Sequence, residues 1–174
     1  TGRLDSPTNL GDASGNMIDH KTPITIVGAG ALGQALALSI HRSGRTIETI
    51  VSRSETRGGM LADQVNAGLA PTCHGLSASV AILCVPDDVI STVAGQLDCP
   101  SGSIVAHCAG SRGLDVLETC SSSDVHAGSI HPVMVLARGG RGPEAMEGAT
   151  AAIEGDDLSG PWLHQLACDL GMHP

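Results

Sequence analysis

The sequence predicts an α/β domain with a doubly wound, mostly parallel sheet and helices on both faces, and three observations support this fold class. Short apolar runs alternate with helical patterns from Pro23 onward, at a spacing typical of strands joined by right-handed crossovers. The first run leads straight into a G-x-G-x-x-G sequence and then into a helical pattern. The run at 80–85 is apolar throughout, as in a strand buried on both faces. Together they predict a Rossmann-like fold.

The first unit is a strand that begins at Ile24, followed by a glycine-rich turn and a helix. The helical pattern consists of apolar residues spaced four apart, Leu32, Leu36 and Ile40. Gly44 follows at a position typical of a helix C-cap. In a dinucleotide site the three glycines allow a tight turn, close approach of a pyrophosphate and packing of helix on strand. The pyrophosphate then binds the free N–H groups of the helix; a purely structural turn is the alternative. The residues predicted to line it are Gly28, Ala29, Gly30, Ala31, Leu32 and Gly33.

The second strand is predicted at Thr46–Val51, and its tip carries serine and arginine rather than a carboxylate. NAD sites usually place Asp or Glu about 20 residues past the glycine turn, where it binds the ribose 2′-hydroxyl. An arginine presents a planar fork to a 2′-phosphate, so this tip favours NADP. A carboxylate supplied by Glu55 would reverse the preference, and a solvated turn is the simpler interpretation. The predicted 2′-phosphate residues are Ser52, Arg53 and Ser54, with Arg57 within reach.

Two helices flank the third strand, which is the apolar run at 80–85. The first is predicted at Arg57–Leu69, and the second follows Pro86, with Asp87 as its N-cap. Each helix shows apolar residues at helical spacing. These residues are Leu61, Val65 and Leu69 in the first helix, and Val89, Val93 and Leu97 in the second.

The remaining elements are short. The predicted order is a strand at Ser103–Ala106, a short helix around Leu114–Cys120, a strand at Ser129–His131 closed by Pro132, a loop at Ala137–Gly142, a strand at Thr150–Ile153 and a helix from Pro161 to Gly171. One domain is therefore expected at 21–174. Residues 1–20 are polar without periodicity, and we expect a disordered leader there.

Ligands of such sheets bind at the carboxyl ends of the strands, so the residues that follow the later strands are candidates for the cofactor crevice. His131 is the best candidate for proton transfer, because the ordinary pKa of histidine lies near neutrality; a structural role in the turn is the alternative. His107 lies in an apolar strand and is interpreted as a structural histidine. Position at the strand ends places Val85–Asp87, His107–Ser111 and His131–Pro132 around a nicotinamide or substrate. The residues among them that are predicted to bind the cofactor are Val85, Pro86, Asp87, Ala109 and Gly110.

The composition and net charge of the chain argue against several classes of binding partner and of location. The chain has 174 residues, a net charge of −9 and Lys21 as its single lysine, which argues against nucleic acid or an anionic membrane as a partner. The six cysteines form no C-x-x-C pair, and no apolar stretch reaches the length of a membrane span. We expect a cytoplasmic protein with reduced thiols and an aliphatic core.

Two other classes of site are disfavoured. The histidines do not pair at the i, i+4 spacing of a helical zinc site, and no metal is expected. The serines lack a G-x-S-x-G sequence, so a serine hydrolase is not expected either.

The segment Ile26–Gly33, followed by Ser52–Ser54 and Cys84–Asp88, resembles the N-terminal half of pyrroline-5-carboxylate reductase-like proteins and of deazaflavin-linked NADP reductases. The stretches Val105–Gly110, Gly128–Pro132 and Ala152–Asp156 are similar to a family of predicted NADP oxidoreductases in which a helical C-terminal domain follows the Rossmann domain. The resemblance covers roughly Pro23–Gly171.

This resemblance implies an oxidoreductase-type domain that binds NADP and transfers a hydride to or from a small imine or carbonyl compound. It implies that His131 faces the substrate, and that the helical C-terminal domain of the family, which supplies much of a dimer interface, is absent here. Val133–Leu136 departs from the polar and aromatic residues that relatives carry after His-Pro. A homodimer is the expected assembly.

Two alternatives stay open. One is a non-catalytic NADP-binding module, favoured by the lack of a catalytic Lys, Tyr or clear acid–base pair. The other is a prephenate dehydrogenase-like enzyme, because that family also has His-Pro after a late strand. Its usual NAD cofactor fits the Arg53 tip less well.

Overall fold

The computed structural model describes residues 18–120, 124–133 and 143–174. Within them, seven strands form one sheet in the order β3-β2-β1-β4-β5-β6-β7. All neighbouring strands are parallel except β6 and β7, which are antiparallel. The strands are β1 (Ile24–Val27), β2 (Ile47–Val51), β3 (Gly68–Ala70), β4 (Val80–Leu83), β5 (Ile104–His107), β6 (His126–Val133) and β7 (Thr150–Gly155).

Helices cover both faces of the sheet, and the predicted doubly wound α/β fold is confirmed. The helices are α1 (Ala31–Arg42), α2 (Glu55–Val65), α3 (Ile90–Ala94) and α4 (Ser159–Asp169), with 3₁₀ turns at Asp87–Val89, Leu114–Leu117 and Pro143–Met146. None of these described helices is both long and apolar enough to cross a lipid bilayer. The predicted loop at Ala137–Gly142 and the predicted leader up to residue 17 lie outside the described residues.

The core has two layers, one on each face of the sheet. One layer contains Ile82 of β4 together with apolar residues of α1, α2 and α4, and the other contains Leu83 together with apolar residues of α3 and Leu117. All four residues of β4 are buried, as expected for an unbroken apolar run, but the strand ends at Leu83, so that Cys84 and Val85 of the predicted run at 80–85 lie beyond it and are half-buried. Because the side chains are aliphatic and alternate between the layers, the sheet is held in a single register.

The prediction that a helix runs over Arg57–Leu69 is wrong at its end. The helix stops at Val65, because Asn66 adopts the left-handed conformation (φ 55°) that Asn tolerates better than most residues. Leu69 then lies on the edge strand β3, paired with Ile50 of β2. Its side chain packs close to Gly58 instead of continuing the helical face.

Two other element predictions need correction. The helix after β4 ends at Ala94, so Leu97 lies beyond it, and Asp87 makes no side-chain cap. Its carboxylate instead accepts a hydrogen bond from the Ser111 hydroxyl at 2.5 Å.

Strand β6 is longer than predicted and continues through Pro132, which pairs with Ala151. Since pairing of β6 with β5 stops earlier, the missing N–H of Pro132 costs no bond to β5.

The start of α4 depends on a carboxylate. Asp156 Oδ1 accepts the backbone N–H groups of Leu158 (3.0 Å) and Ser159 (2.8 Å), and Oδ2 lies 2.8 Å from His126 Nδ1. Burial alone would raise the pKa of Asp156, but the hydrogen bonds from Ser159, His126 and Leu158 outweigh it and hold the pKa below the ordinary 3.8.

This carboxylate predicts an acid-dependent loss of stability. The pKa is lower in the folded than in the unfolded state, so the contribution is complete above the unfolded value of 3.8 and disappears as pH falls through the folded value. Asp156→Asn should therefore flatten the acid side of a plot of unfolding free energy against pH, measured by urea denaturation. Asp157→Asn, at the exposed neighbouring position, is the control; an equal effect of both substitutions would refute the assignment.

Candidate functional site

The turn between β1 and α1 is compressed against the end of β4. Gly28 has φ +109°, and a Cβ there would lie 2.4 Å from the carbonyl oxygen of Cys84. A Cβ on Gly33 would lie 1.8 Å from the carbonyl oxygen of Gly28. The first and third glycines of the motif are therefore required by the fold itself, since no larger residue fits either position without movement of the backbone.

The second glycine is different, because the space around it is open. A Cβ on Gly30 would meet no atom of the described residues within 4 Å, and φ there is an ordinary −76°. Gly30 is the N-cap of α1, yet no side chain caps the helix and no acidic residue stands in its first turn. The free N–H groups at Ala31–Gly33 and the positive end of the helix dipole thus face an open surface. This arrangement fits the pyrophosphate of a dinucleotide.

The tip of β2 presents two exposed arginines near the start of α2. Ser54 caps α2 by accepting the N–H of Arg57 at 3.3 Å, which leaves its own hydroxyl proton to donate. Arg53 and Arg57 are exposed, as is Glu55 between them. Ser52 is buried, and its hydroxyl bonds the backbone N–H and C=O of Ser54. Of the predicted 2′-phosphate residues, Ser52 therefore serves to shape the turn, and Arg53 and Ser54 remain available.

The predicted residues after β4 and β5 meet at the same edge of the sheet. Val85 lies beside the glycine turn, 3.3 Å from the position of a Cβ on Gly28. Asp87 is joined to Ser111 by the hydrogen bond described above, which links the loop after β4 to the loop after β5. Pro86 is exposed and Ala109 is buried. Sequence reasoning places Ser111 at this edge, four residues after the end of β5, but it does not predict the hydrogen bond from Ser111 to Asp87.

His131 lies on β6 at this edge, half-buried against the loop after β5. Its Nδ1 is 2.9 Å from the carbonyl oxygen of Cys108, and a carbonyl can only accept, so Nδ1 carries the proton. The neutral ring then presents Nε2 as an acceptor. Gly110 packs under the ring, since a Cβ there would lie 2.6 Å from Nε2. The predicted catalytic candidate is thus fixed in one tautomer by its neighbours.

His107 is buried within the sheet. It accepts the N–H of Ala109 at Nδ1 (3.2 Å) and lies 3.2 Å from the carbonyl oxygen of Gly113 through Nε2. Burial is the main cause that lowers the pKa of His107, so the ring stays neutral. These bonds agree with the structural role predicted for this histidine. In the described ranges, no three His, Cys, Asp or Glu side chains gather as a metal site would require.

The sequence of this region matches a known family. The family described as NADP oxidoreductase, coenzyme F420-dependent, matches residues 23–110, which is just over half of the chain. The chain belongs to this family. Coenzyme F420 is a deazaflavin, so the predicted resemblance to deazaflavin-linked NADP reductases is confirmed, as is NADP as the cofactor of the family. No curated protein sequence matches the chain.

Solved structures share the fold at low sequence identity. A proposed NADP oxidoreductase from Bacteroides fragilis has a TM-score of 0.76 and 24% identity over 87% of this chain. A prephenate dehydrogenase from A. aeolicus, in complex with hydroxyphenyl propionate and NAD+, has a TM-score of 0.70 and 15% identity over 87%. A 1-pyrroline-5-carboxylate reductase from Streptococcus pyogenes has a TM-score of 0.67 and 17% identity over 90%. The chain spans 58% of the length of each of these three.

Proposed function

We propose that this NADP oxidoreductase domain binds NADP(H) across the carboxyl edge of its sheet and orients the nicotinamide for hydride transfer to or from a small imine or carbonyl compound. The observation that carries the proposal is the open, uncapped N-terminus of α1 at Gly30, with Arg53 exposed at the tip of β2. The first feature suits a pyrophosphate and the second a 2′-phosphate.

The chain supplies binding and orientation for such a reaction. Gly30 and the first N–H groups of α1 would hold the pyrophosphate, and Arg53 and Ser54 the 2′-phosphate. Val85, Pro86 and Asp87 would flank the ribose and nicotinamide, with Ala109 and Gly110 opposite. Bound NADPH supplies a hydride from its nicotinamide ring, and the protein contributes position and electrostatics.

His131 is proposed to move the proton that accompanies the hydride. With Nδ1 donating to Cys108, Nε2 accepts a proton from the hydroxyl or amine of a substrate that is being oxidised. In the opposite direction the imidazolium returns that proton to the carbonyl oxygen or imine nitrogen. The Cys108 carbonyl stabilises both states, because it accepts from Nδ1 in each.

Two alternatives have specific support. The lack of a catalytic Lys, Tyr or clear acid–base pair in the sequence favours a module that binds NADP without turnover. The fold likeness to a prephenate dehydrogenase favours an enzyme of that class, although that structure holds NAD+ and the tip of β2 in this chain carries Arg53. A cytoplasmic location and a homodimer stay predictions.

A calorimetric titration of the chain with NADPH and, separately, NADH tests the proposal. Binding with a clear preference for NADPH supports it, and a preference for NADH favours the prephenate dehydrogenase-like alternative. Absence of binding to both refutes the proposed site. Oxidation of NADPH in the presence of a panel of cyclic imines and small carbonyl compounds then separates an enzyme from a binding module.

The role of His131 predicts a selective loss of turnover. With a substrate found in that panel, His131→Gln should lower kcat by roughly 10²- to 10⁴-fold, the usual contribution of a proton-transfer residue, and leave the Kd for NADPH unchanged. His126→Gln is the matched control, because it removes a histidine from the opposite end of the same strand. Equal losses in both variants would remove His131 from the mechanism.

A further inference from the structure

Two cysteine thiols meet under the cofactor edge. Cys84 and Cys108 follow β4 and β5 directly, and the strands pair in a register that sets Leu83 opposite His107, so the two cysteines are the next pair along. Their sulfurs are 3.8 Å apart. Neighbouring strands lie about 4.8 Å apart, which is within the Cα separation that a disulfide spans. Both thiols are free.

Each cysteine also touches a part of the proposed cofactor site. The Cβ of Cys84 lies 3.3 Å from the position of a Cβ on Gly33, and its carbonyl oxygen lies 2.4 Å from that of a Cβ on Gly28. The carbonyl of Cys108 is the acceptor that fixes His131. A change in the position of either cysteine is therefore transmitted to the glycine turn or to the histidine.

We propose that Cys84 and Cys108 are a redox modification site, at which a peroxide oxidises the two thiols to a disulfide that weakens the binding of NADPH. The pair was not predicted from the sequence, where the two residues look like small apolar side chains of buried strands. The effect on binding rests on the proposed NADPH site, whereas formation of the disulfide does not.

The chemistry uses the different exposure of the two thiols. Cys84 is half-buried and meets the peroxide first. Its thiol loses a proton, the thiolate attacks one peroxide oxygen and the O–O bond breaks; the departing hydroxide takes up that proton, so that a sulfenic acid and water are formed. Cys108 then attacks the sulfenic sulfur, which forms the S–S bond, breaks the S–O bond and releases a second water that takes up the Cys108 proton. Two thiols are oxidised and one peroxide is reduced to two water molecules.

The buried partner is suited to the second step rather than the first. The neighbouring Cys84 thiol and complete burial raise the pKa of Cys108 well above its ordinary range. Cys108 therefore reacts with the peroxide less readily than Cys84, and it attacks the sulfenic sulfur only as its proton passes to the departing hydroxyl group.

Closure of the bond should disturb the glycine turn. The sulfurs must approach from 3.8 Å to about 2.05 Å. Because Cys84 already contacts the turn at Gly28 and Gly33, a shift of this residue changes the surface on which the pyrophosphate would lie. The Cys108 carbonyl would move with its strand and loosen His131.

The test treats the reduced chain with hydrogen peroxide and digests it before aspartate residues. This cleavage places Cys84 in fragment 63–86 and Cys108 in fragment 98–114. We expect a cross-link between these fragments, with loss of two hydrogen atoms by mass, that disappears in Cys84→Ala and in Cys108→Ala. It should persist in Cys73→Ala, the matched control, because Cys73 lies in the same fragment as Cys84.

Calorimetry gives the second readout. Oxidation should weaken NADPH binding by about tenfold in the wild-type chain and in Cys73→Ala, and dithiothreitol should restore it. Cys84→Ala and Cys108→Ala should bind NADPH equally before and after peroxide. No cross-link between the two fragments, or a cross-link with unchanged affinity, overturns the inference. If the reduced chain binds no NADPH while the cross-link forms, the proposed function fails and the redox pair stands as a modification site alone.

Discussion

Gly33→Ala is expected to destabilise the domain strongly. The new Cβ would lie 1.8 Å from the carbonyl oxygen of Gly28 and 3.3 Å from the Cβ of Cys84. The first contact is with backbone, which cannot move aside as a flexible side chain could. Since overpacking of a core usually costs about 1–3 kcal/mol, we expect about 3 kcal/mol or more here, measured as the free energy of unfolding in urea.

Gly30→Ala is the matched control, and it should separate folding from binding. Its Cβ would meet open space at an ordinary φ, so the unfolding free energy should change by only about 1 kcal/mol or less, as for other changes at an N-cap. The added methyl stands where a pyrophosphate must approach, and NADPH affinity should fall about tenfold or more. A stable Gly33→Ala chain, or a Gly30→Ala chain with normal affinity, would contradict this division of roles.

The glycine turn could be predicted from sequence because its determinants are local. Ile24–Val27 is a contiguous apolar strand, the three glycines follow at fixed spacing, and the helix begins within the same segment. Each of these signals depends on neighbours along the chain. What the sequence does not distinguish is that Gly28 and Gly33 are required for packing, whereas Gly30 is free of it. For Gly28 that distinction comes from the carbonyl of Cys84, a residue distant in sequence, and for Gly33 it comes from the carbonyl of Gly28, which the fold of the turn brings against it.

Two of the wrong element predictions, at Leu69 and Asp87, depend on contacts with other parts of the fold. Leu69 keeps helical spacing with Leu61 and Val65, but pairing with β2 and the left-handed Asn66 end the helix first. Asp87 resembles an N-cap, but Ser111 on the next loop takes its carboxylate. For Leu69 the cause is partly local, the conformation of Asn66, and partly the pairing with β2. For Asp87 the partner lies on another loop, and only the sheet order identifies it.

The order of the strands in the sheet brings the thiols of Cys84 and Cys108 together. Cys84 and Cys108 each read as buried apolar residues, and 24 positions separate them. Parallel strands place equivalent positions side by side, so two residues that each follow a strand become neighbours at the carboxyl edge. The same principle brings Arg53, at the tip of β2, and the glycine turn to one edge of the sheet. The position of the site could therefore be predicted from the ends of the strands, but the contacts between its residues could not.

Arg53→Ala is expected to remove the preference for NADPH over NADH. Hydrogen bonds to a charged group contribute about 1.5–3 kcal/mol, so the Kd for NADPH should rise by roughly 10- to 100-fold. The Kd for NADH should stay the same, because NADH carries no 2′-phosphate. Calorimetric titration of the variant with both cofactors measures this directly. Arg53 is exposed, so the free energy of unfolding should be nearly unchanged.

Arg42→Ala is the control for loss of one positive charge. Arg42 lies in the last turn of α1, at the amino edge of the sheet, where it pairs with Glu147. Its removal should leave both affinities as they are, because charges far from the site are screened by salt. Equal losses for NADPH and NADH in Arg53→Ala would show that Arg53 acts on a feature common to both cofactors. The 2′-phosphate would then have to be held by Arg57 and Ser54 at the start of α2, and Arg57→Ala would take over the selective effect.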